Sequence, residues 1–236
     1  MSKSHFLFSK EKLKSRMDRI VADWPARLSG LDAVLLVTGS EDDLLTDYRI
    51  AVHFWLFGLH FTRTVMVLQK EGRIIILTNS AKLDYLRKFQ GEHCVLVERP
   101  YPYTDREDTS QFKYMLKLLR GHRESRLTLG TLHNEIPGDD LARNVFRELP
   151  NLQEFVVEDC TRGISGILVK KDDDELRCIK RCSNFVSEVM EKMQARVRAV
   201  IEGTLMATNA EVHNLEANLT FKICMCVGDL SHLELL

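Results

Sequence analysis

In the opening segment of the chain, apolar residues recur among polar ones at helical spacing. Between Ser9 and Trp24 the apolar positions recur every three or four residues, with Ser9 as the candidate N-cap and Pro25 just past the end. This pattern predicts an amphipathic helix that stops at Trp24. The short apolar run Ala33 to Val37 then predicts a buried strand.

Two β-branched segments follow an aromatic stretch. Phe61 to Leu68 and Arg73 to Leu77 flank the turn Lys70-Glu-Gly72. Apolar runs of this length on either side of a glycine-containing turn are typical of a β-hairpin. Together with the run at 33–37 they predict a sheet of at least three strands.

Beyond the hairpin, helical and strand patterns alternate. The predicted order is a helix at 81–89, a strand at 94–97, a helix at 111–119, a strand at 127–129, a helix at 139–149 and a strand at 153–157. Strands separated by helices of this length indicate an α/β layer fold with crossover connections.

The pattern changes near the segment 163–166, and one long helical pattern runs from Asp173 to about Ile201. We therefore place a domain boundary at 165–172. The prediction is an N-terminal α/β lobe at 1–168 and a helical segment at 169–236.

Composition excludes several classes of protein. With 44% hydrophobic and 28% charged residues, the chain can bury a sizeable core. A net charge of −1 argues against a chain-wide basic surface that binds nucleic acid, so we expect no direct sequence-specific DNA binding. The apolar runs are too short for a membrane span, which predicts a soluble intracellular protein without a membrane partner.

Compact catalytic motifs are absent from the sequence. The six cysteines are expected to be reduced and mostly buried, because Cys178/Cys182 and Cys224/Cys226 lack the further ligands that a zinc site requires. His53 and His60 flank an aromatic segment, where packing is favoured over metal binding.

Acidic residues cluster in two places. Glu41, Asp42 and Asp43 form a turn that lacks the ligand pattern of a calcium loop, which favours a solvated turn. Asp172, Asp173, Asp174 and Glu175 follow Lys170-Lys171 at the start of the long helix. Acidic residues there complement the helix dipole, and this capping role is favoured over a dedicated site for basic peptides.

A third candidate position lies where a strand meets a helix. Asn79-Ser80-Ala81-Lys82 is first an N-cap sequence. The same edge offers free backbone N–H groups and the Ser80 hydroxyl, so a ligand or peptide could also dock there.

The order of these segments resembles the N-terminal domain of the large subunit of the FACT histone chaperone. The resemblance covers roughly residues 8–218, and its most diagnostic part is Phe54-Trp-Leu-Phe-Gly58. The segments that carry it are the opening helix, Asp32 to Gly39, the acidic turn, Tyr48 to Gly58, Thr62 to Val67, Thr78 to Ser80, Asp159 to Ser165 and Leu168 to Leu176.

The resemblance implies the two-lobed "pita-bread" fold of creatinase and aminopeptidase P. The expected fold class is an α/β N-terminal lobe, with a mixed sheet flanked by helices, followed by the first helices of a truncated C-terminal lobe. In the enzymes, the second lobe holds two metal ions through aspartate, histidine and glutamate ligands. Asp229 is the only aspartate beyond residue 174, so we expect no peptidase activity, catalytic residue, metal or cofactor.

The resemblance also implies a function: a non-enzymatic module that binds histones and nucleosomes in the nucleus, on chromosomes, during transcription, replication and repair. Its implied partners are core histones and, through the full-length protein, the small FACT subunit. From the residues themselves we infer that basic tails could contact Glu41–Asp43 or Asp172–Glu175, with docking near Ser80 and Lys82. The alternative is the N-terminal half of a creatinase or aminopeptidase P type metallopeptidase that lacks its catalytic lobe.

The long helix raises a further expectation. Without the sheet that such helices cover in that fold, its apolar stripe would be exposed, which invites self-association or a partner chain. A second helix is expected at Asn209 to Asn218, while the tail from Leu219 to Leu236 does not resemble the family.

Overall fold

The computed structural model describes residues 9–39, 48–99, 109–132 and 140–201. The chain divides into two compact units, the first ending at Val169 and the second beginning at Lys170. The acidic turn at 41–43 and the helix expected at 209–218 lie outside the described residues.

The first unit is an α/β structure. Its strands are β1 (Ala33–Val37), β2 (Val65–Gln69), β3 (Ile74–Asn79), β4 (Cys94–Arg99), β5 (Leu127–Thr131) and β6 (Phe155–Asp159). Its described helices are α1 (Lys10–Arg27), α2 (Tyr48–Phe57), α3 (Ser80–Leu86), α4 (Ser110–Arg120), α5 (Asp140–Glu148) and α6 (Thr161–Val169).

The six strands form one mixed sheet in the order β4-β3-β2-β1-β5-β6. Strand β2 runs antiparallel to both of its neighbours, whereas the pairs β1/β5, β5/β6 and β3/β4 are parallel. Leu35 lies opposite Val67, and Val67 lies opposite Ile75, which fixes the register of the hairpin. The α/β class and the mixed sheet flanked by helices are confirmed.

Helices cover both faces of the sheet. One core joins α1, α2 and α6 to one face, and the other joins α4 and α5 to the opposite face. Every residue of β1 and β2 is buried as a result. Double burial explains why these strands are continuous apolar runs rather than alternating ones.

The aromatic segment forms α2, which packs on α1. The Trp55 ring lies against two arginines of α1, with the guanidinium carbon of Arg19 4.4 Å and that of Arg16 5.2 Å from its centroid. Arg16 also donates a hydrogen bond to the Trp55 carbonyl. The helix ends at Gly58, whose φ of 76° is a conformation that glycine adopts without strain.

Several predicted boundaries differ from the structure by two or more residues: β4 and β5 extend further than predicted, β6 begins at Phe155 rather than 153, and the end of α1 and the start of β2 are wrong. Helix α1 continues through Pro25 to Arg27, because a proline in the last turn removes only one hydrogen bond and Leu28 N–H still closes the helix on the Trp24 carbonyl at 2.8 Å. Strand β2 begins at Val65 rather than Phe61, because the preceding residues are held by side-chain hydrogen bonds instead of ladder pairing.

The sequence pattern did not predict α6. Its buried residues Ile164 and Ile167 pack with α1 in the first core. Gly163 permits this approach, because a Cβ atom there would lie 2.4 Å from the Arg27 carbonyl oxygen. Gly163, at the predicted change of pattern, therefore serves helix packing.

The described part of the second unit contains α7 (Asp173–Ile201), a helix of 29 residues that matches the predicted long helix. Its apolar residues include several large exposed side chains, among them Ile179, Val186 and Val197. No helix in the described ranges is both long and apolar enough to cross a membrane.

Candidate functional site

A row of buried threonine hydroxyls lies where β1 and β3 end and β2 begins. Thr38 Oγ1 donates to the Phe61 carbonyl at 2.5 Å and accepts from the Thr64 N–H at 3.1 Å. The Thr64 and Thr78 hydroxyl oxygens are 2.8 Å apart. These bonds hold residues 61–64, which we term the threonine segment, against the edge of the sheet.

Lys82 holds the same segment from the side of α3. Its ammonium donates to Thr62 Oγ1 at 2.9 Å and to the Thr62 carbonyl oxygen. Only 6% of Lys82 is exposed, although its neighbour Ser80 is at the surface. The structure therefore gives Lys82 a positioning role within the fold, and it leaves Ser80 accessible.

The N-cap expected at this edge is present. The Asn79 side chain accepts a hydrogen bond from the Lys82 backbone N–H at 3.1 Å. The buried Arg49 guanidinium donates to the Val37 carbonyl at 3.0 Å. Arg49 therefore holds the end of β1, as Lys82 holds the threonine segment. Polar groups at this edge thus secure chain segments to one another.

The acidic run at the start of α7 forms a capping box. Asp172 N–H donates to Glu175 Oε2 at 2.9 Å, and Glu175 N–H donates to Asp172 Oδ1 at 2.8 Å. Asp174 pairs with Arg177, and Glu175 lies 3.7 Å from Lys171 Nζ. Asp173 is exposed.

The candidate residues therefore fall into separate groups. Ser80 and Lys82 belong to the first unit, and the run 172–175 belongs to the second. Glu41, Asp42 and Asp43 lie outside the described residues. Within each unit, the structure brings together residues that are neighbours in sequence.

His53, His60, Cys94 and Cys160 of the first unit are packing residues. His53 is fully buried, its Nδ1 accepts from the Phe61 N–H at 3.2 Å, and the His60 ring packs 5.5 Å from that of Phe54. Burial raises the pKa of the Cys94 and Cys160 thiols to about 12, so both remain protonated at neutral pH. Among residues 9–39, 48–99, 109–132 and 140–201, no group of three or more potential ligands could hold a metal ion.

Sequence reasoning missed the threonine segment and Arg49. A signal was present, because Thr38, Thr64 and Thr78 are each the polar residue at the end of an apolar run. That signal marks strand ends, but it does not show that hydroxyls from three strands meet. The meeting depends on the sheet order, which places β2 between β1 and β3.

Comparison with known proteins identifies relatives among FACT complex subunits. The family model for the FACT complex subunit SPT16 N-terminal lobe domain matches residues 8–147. FACT complex subunit SPT16 from Mycosarcoma maydis is 24% identical over 74% of this chain, and that from Arabidopsis thaliana is 25% identical over 69%. The chain spans 18% and 16% of these relatives.

Solved structures show the same fold. The N-terminal domain of SPT16 from Cicer arietinum matches 89% of this chain and 50% of its own length, with a TM-score of 0.72 at 20% identity. The corresponding domain from Eremothecium gossypii has a TM-score of 0.71 at 17% identity, over 90% of this chain and 50% of its own. A Pyrococcus horikoshii dipeptidase has a TM-score of 0.52 at 13% identity, over 76% and 44%, so the fold is peptidase-like.

Proposed function

Because the chain belongs to the FACT complex subunit SPT16 N-terminal lobe domain family, we propose that it is a non-enzymatic histone- and nucleosome-binding module of a FACT-type chaperone. Family membership is the observation that carries this proposal. The module would act in the nucleus, on chromosomes, during transcription, replication and repair. The small FACT subunit would be reached through the longer protein rather than through this chain.

The buried polar groups at the sheet edge bond to the chain itself, which supports a role as a rigid binding scaffold. The Lys82 ammonium and the hydroxyls of Thr38, Thr64 and Thr78 bond to the chain itself, so they stabilise the sheet edge. Reversible binding requires only that such an edge be rigid and that nearby surface groups match the partner in charge and shape. Ser80 is an accessible group at that edge.

We place one contact with basic histone tails at the start of α7. The run 172–175 carries four negative charges, but Lys170, Lys171 and Arg177 offset three of them. Asp173 is exposed, so a basic tail could form a favourable charge contact with its carboxylate. Attraction by one exposed carboxylate is modest and is screened by salt.

Reversing the charge of Asp173 tests this placement. We expect Asp173→Lys to weaken binding of a lysine-rich histone tail peptide about two- to fivefold in 50 mM salt. The difference from the unmodified chain should shrink as salt rises, because screening shortens the range of surface charges. Fluorescence anisotropy of a labelled peptide, measured across a salt series, gives both quantities.

The control is Glu191→Lys, the same charge change at an exposed position of the same helix. Eighteen residues of helix separate the two sites by about 27 Å, which exceeds the Debye length of about 10 Å at 0.1 M salt. Glu191→Lys should therefore leave the affinity near that of the unmodified chain. Equal weakening by both variants, or none by Asp173→Lys, would refute the placement.

A further inference from the structure

Strand β6 forms one edge of the sheet, and its outer side is open. Its only neighbour among the described residues is β5, with which it pairs in parallel. The Glu154 carbonyl accepts a hydrogen bond from the Leu127 N–H at 2.9 Å, and the Cys160 N–H donates one to the Thr131 carbonyl at 2.9 Å. Because alternate residues of a strand bond to the same neighbour, Val157 directs its N–H and carbonyl away from β5, where they pair with no described residue.

The open stretch of β6 is short. On one side of it, the Phe155 N–H is already used, because it donates to the Leu152 carbonyl at 3.1 Å. On the other side, the Asp159 carboxylate accepts hydrogen bonds from the Thr161 N–H and hydroxyl at the start of α6. The backbone groups of Val157 lie between these two contacts. They can pair with an added strand of about five residues, which is an ordinary strand length.

One row of side chains along this edge alternates charge and apolar surface. Glu154, Val156 and Glu158 lie on the same face of the sheet, because side chains two residues apart on a strand do so. Val156 is 37% exposed, and Glu158 is exposed and forms no hydrogen bond or ion pair with a described residue. Glu154 lies 3.2 Å from Arg120 and is still partly exposed. An incoming strand would therefore meet an apolar side chain between two carboxylates.

The charge of β6 selects the kind of strand that can join it. Residues 152–160 contain Glu154, Glu158 and Asp159 and no lysine or arginine. Pairing with β6 of a second copy would bring carboxylates of both copies together, and like charges opposite each other destabilise strand pairing. A strand with basic residues on either side of an apolar one would meet opposite charges instead. The edge is therefore complementary to a basic partner.

We propose that β6 binds an extended basic segment of another protein, which joins the six-stranded sheet as a further strand. The Val157 N–H and carbonyl bond to the backbone of this segment, as in other complexes formed by strand addition. An apolar side chain of the segment packs on Val156, and lysine or arginine side chains two residues to either side lie beside Glu154 and Glu158. The inference rests on β6 alone, so it goes beyond the proposed histone binding and does not depend on it.

NMR titration of the full, isotope-labelled chain with a synthetic peptide tests the proposal. The peptide Thr-Lys-Thr-Val-Thr-Lys-Thr, with blocked termini, carries both lysines and the valine on one face, and its symmetric order suits either strand direction. We expect a Kd on the order of 1 mM, because the contact is small. At about 5 mM peptide, hydrogen exchange at the Val157 amide should slow about fivefold, since this amide gains an acceptor. The Leu96 amide faces outward from the opposite edge strand, β4, and should not respond.

Two further peptides are controls for the partner. Thr-Thr-Lys-Val-Lys-Thr-Thr has the same composition but places its lysines and valine on opposite faces of a strand, so it should bind at least about threefold more weakly. A peptide with glutamate in place of both lysines should not bind measurably, because it would place like charges side by side. Equal binding by either control peptide would contradict the proposed recognition.

Val157→Pro and Glu158→Lys test the site in the chain. Proline at 157 removes the outward N–H without breaking a bond to β5, and edge strands tolerate proline, so binding should be lost while the sheet remains. Glu158→Lys should weaken binding about two- to fivefold. Glu98→Lys, the same change at an exposed position of β4, is the matched control and should bind like the unmodified chain. Circular dichroism verifies that each variant is folded.

Two outcomes would overturn the proposal. One is the absence of a response at the Val157 amide up to about 10 mM peptide, ten times the expected Kd. The other is unchanged peptide binding by both Glu158→Lys and a folded Val157→Pro variant. Either outcome is distinct from a failure of histone binding, because the peptide contains no histone sequence.

Discussion

Replacing Phe57 with alanine is expected to lower the free energy of unfolding of the first unit by about 3–5 kcal/mol. Phe57 is fully buried, and its ring makes edge-to-face contacts with Phe61 and Phe89 at centroid distances of 5.8 and 5.5 Å. The substitution removes buried apolar area, two aromatic contacts and the atoms that fill the site. A loss of this size is a large share of the 5–15 kcal/mol that stabilises a typical domain.

Urea denaturation followed by tryptophan fluorescence measures this loss. The two tryptophans, Trp24 and Trp55, are both buried in the first unit, so the signal reports on that unit. Phe54→Ala is the control on the same helix, where the residue is 37% exposed and the expected loss is below about 1 kcal/mol. Equal small losses in both variants would mean that the aromatic core is not packed as described.

The second large effect is expected at the contact between α6 and α1. Gly163→Ala should destabilise the first unit by about 1–3 kcal/mol, although alanine ordinarily favours a helix. The added Cβ would lie 2.4 Å from the Arg27 carbonyl oxygen and 2.5 Å from Leu28 Cδ2. Because a backbone atom cannot rotate aside, the helices themselves would have to separate.

Gly166→Ala supplies the matched comparison on the same helix. Its Cβ would lie 3.1 Å from the Arg27 Nη1 atom, the far end of a flexible side chain that can move away. We expect Gly166→Ala to be neutral or to stabilise by up to about 1 kcal/mol through helix propensity. Thermal and urea unfolding measure the change in the free energy of unfolding for both variants. Comparable changes at the two positions would contradict the described packing.

Local patterns predicted much of the sheet. Strand β1 has the bounds that its apolar run indicates, and β2 and β3 form the expected hairpin. These segments are buried on both faces, so their apolar runs are unbroken and conspicuous. The apolar pattern predicts too early a start for strand β2, because Phe61 is apolar and buried although it does not pair with a neighbouring strand.

Tertiary contacts account for what the sequence did not reveal. Helix α6 contains Gly163 and Gly166, which lower its intrinsic helix propensity, and the contact with α1 explains why glycine stands at 163. The inward position of Lys82 likewise depends on Thr62, twenty residues earlier in the chain. Neither fact could be obtained from residue type and spacing.

The structure of the acidic run at 172–175, by contrast, could be predicted from local sequence. The first-turn role of Asp172 and Glu175 could be read from sequence, because a capping box is complete within four residues. The expected family is also confirmed, since its resemblance rested on segments spread over the chain rather than on one motif. That a surface group of this chain contacts a histone stays a prediction, because a binding surface is defined by its partner.

The most direct test of the proposed function is an equilibrium titration of purified core histone dimers into the full chain, monitored by calorimetry from 50 to 300 mM salt. Circular dichroism beforehand establishes that the chain is folded, and a neutral globular protein of similar size replaces the histones as the control. We expect saturable binding that weakens as the salt concentration rises. Absence of saturable binding by the folded chain at 50 mM salt would contradict it.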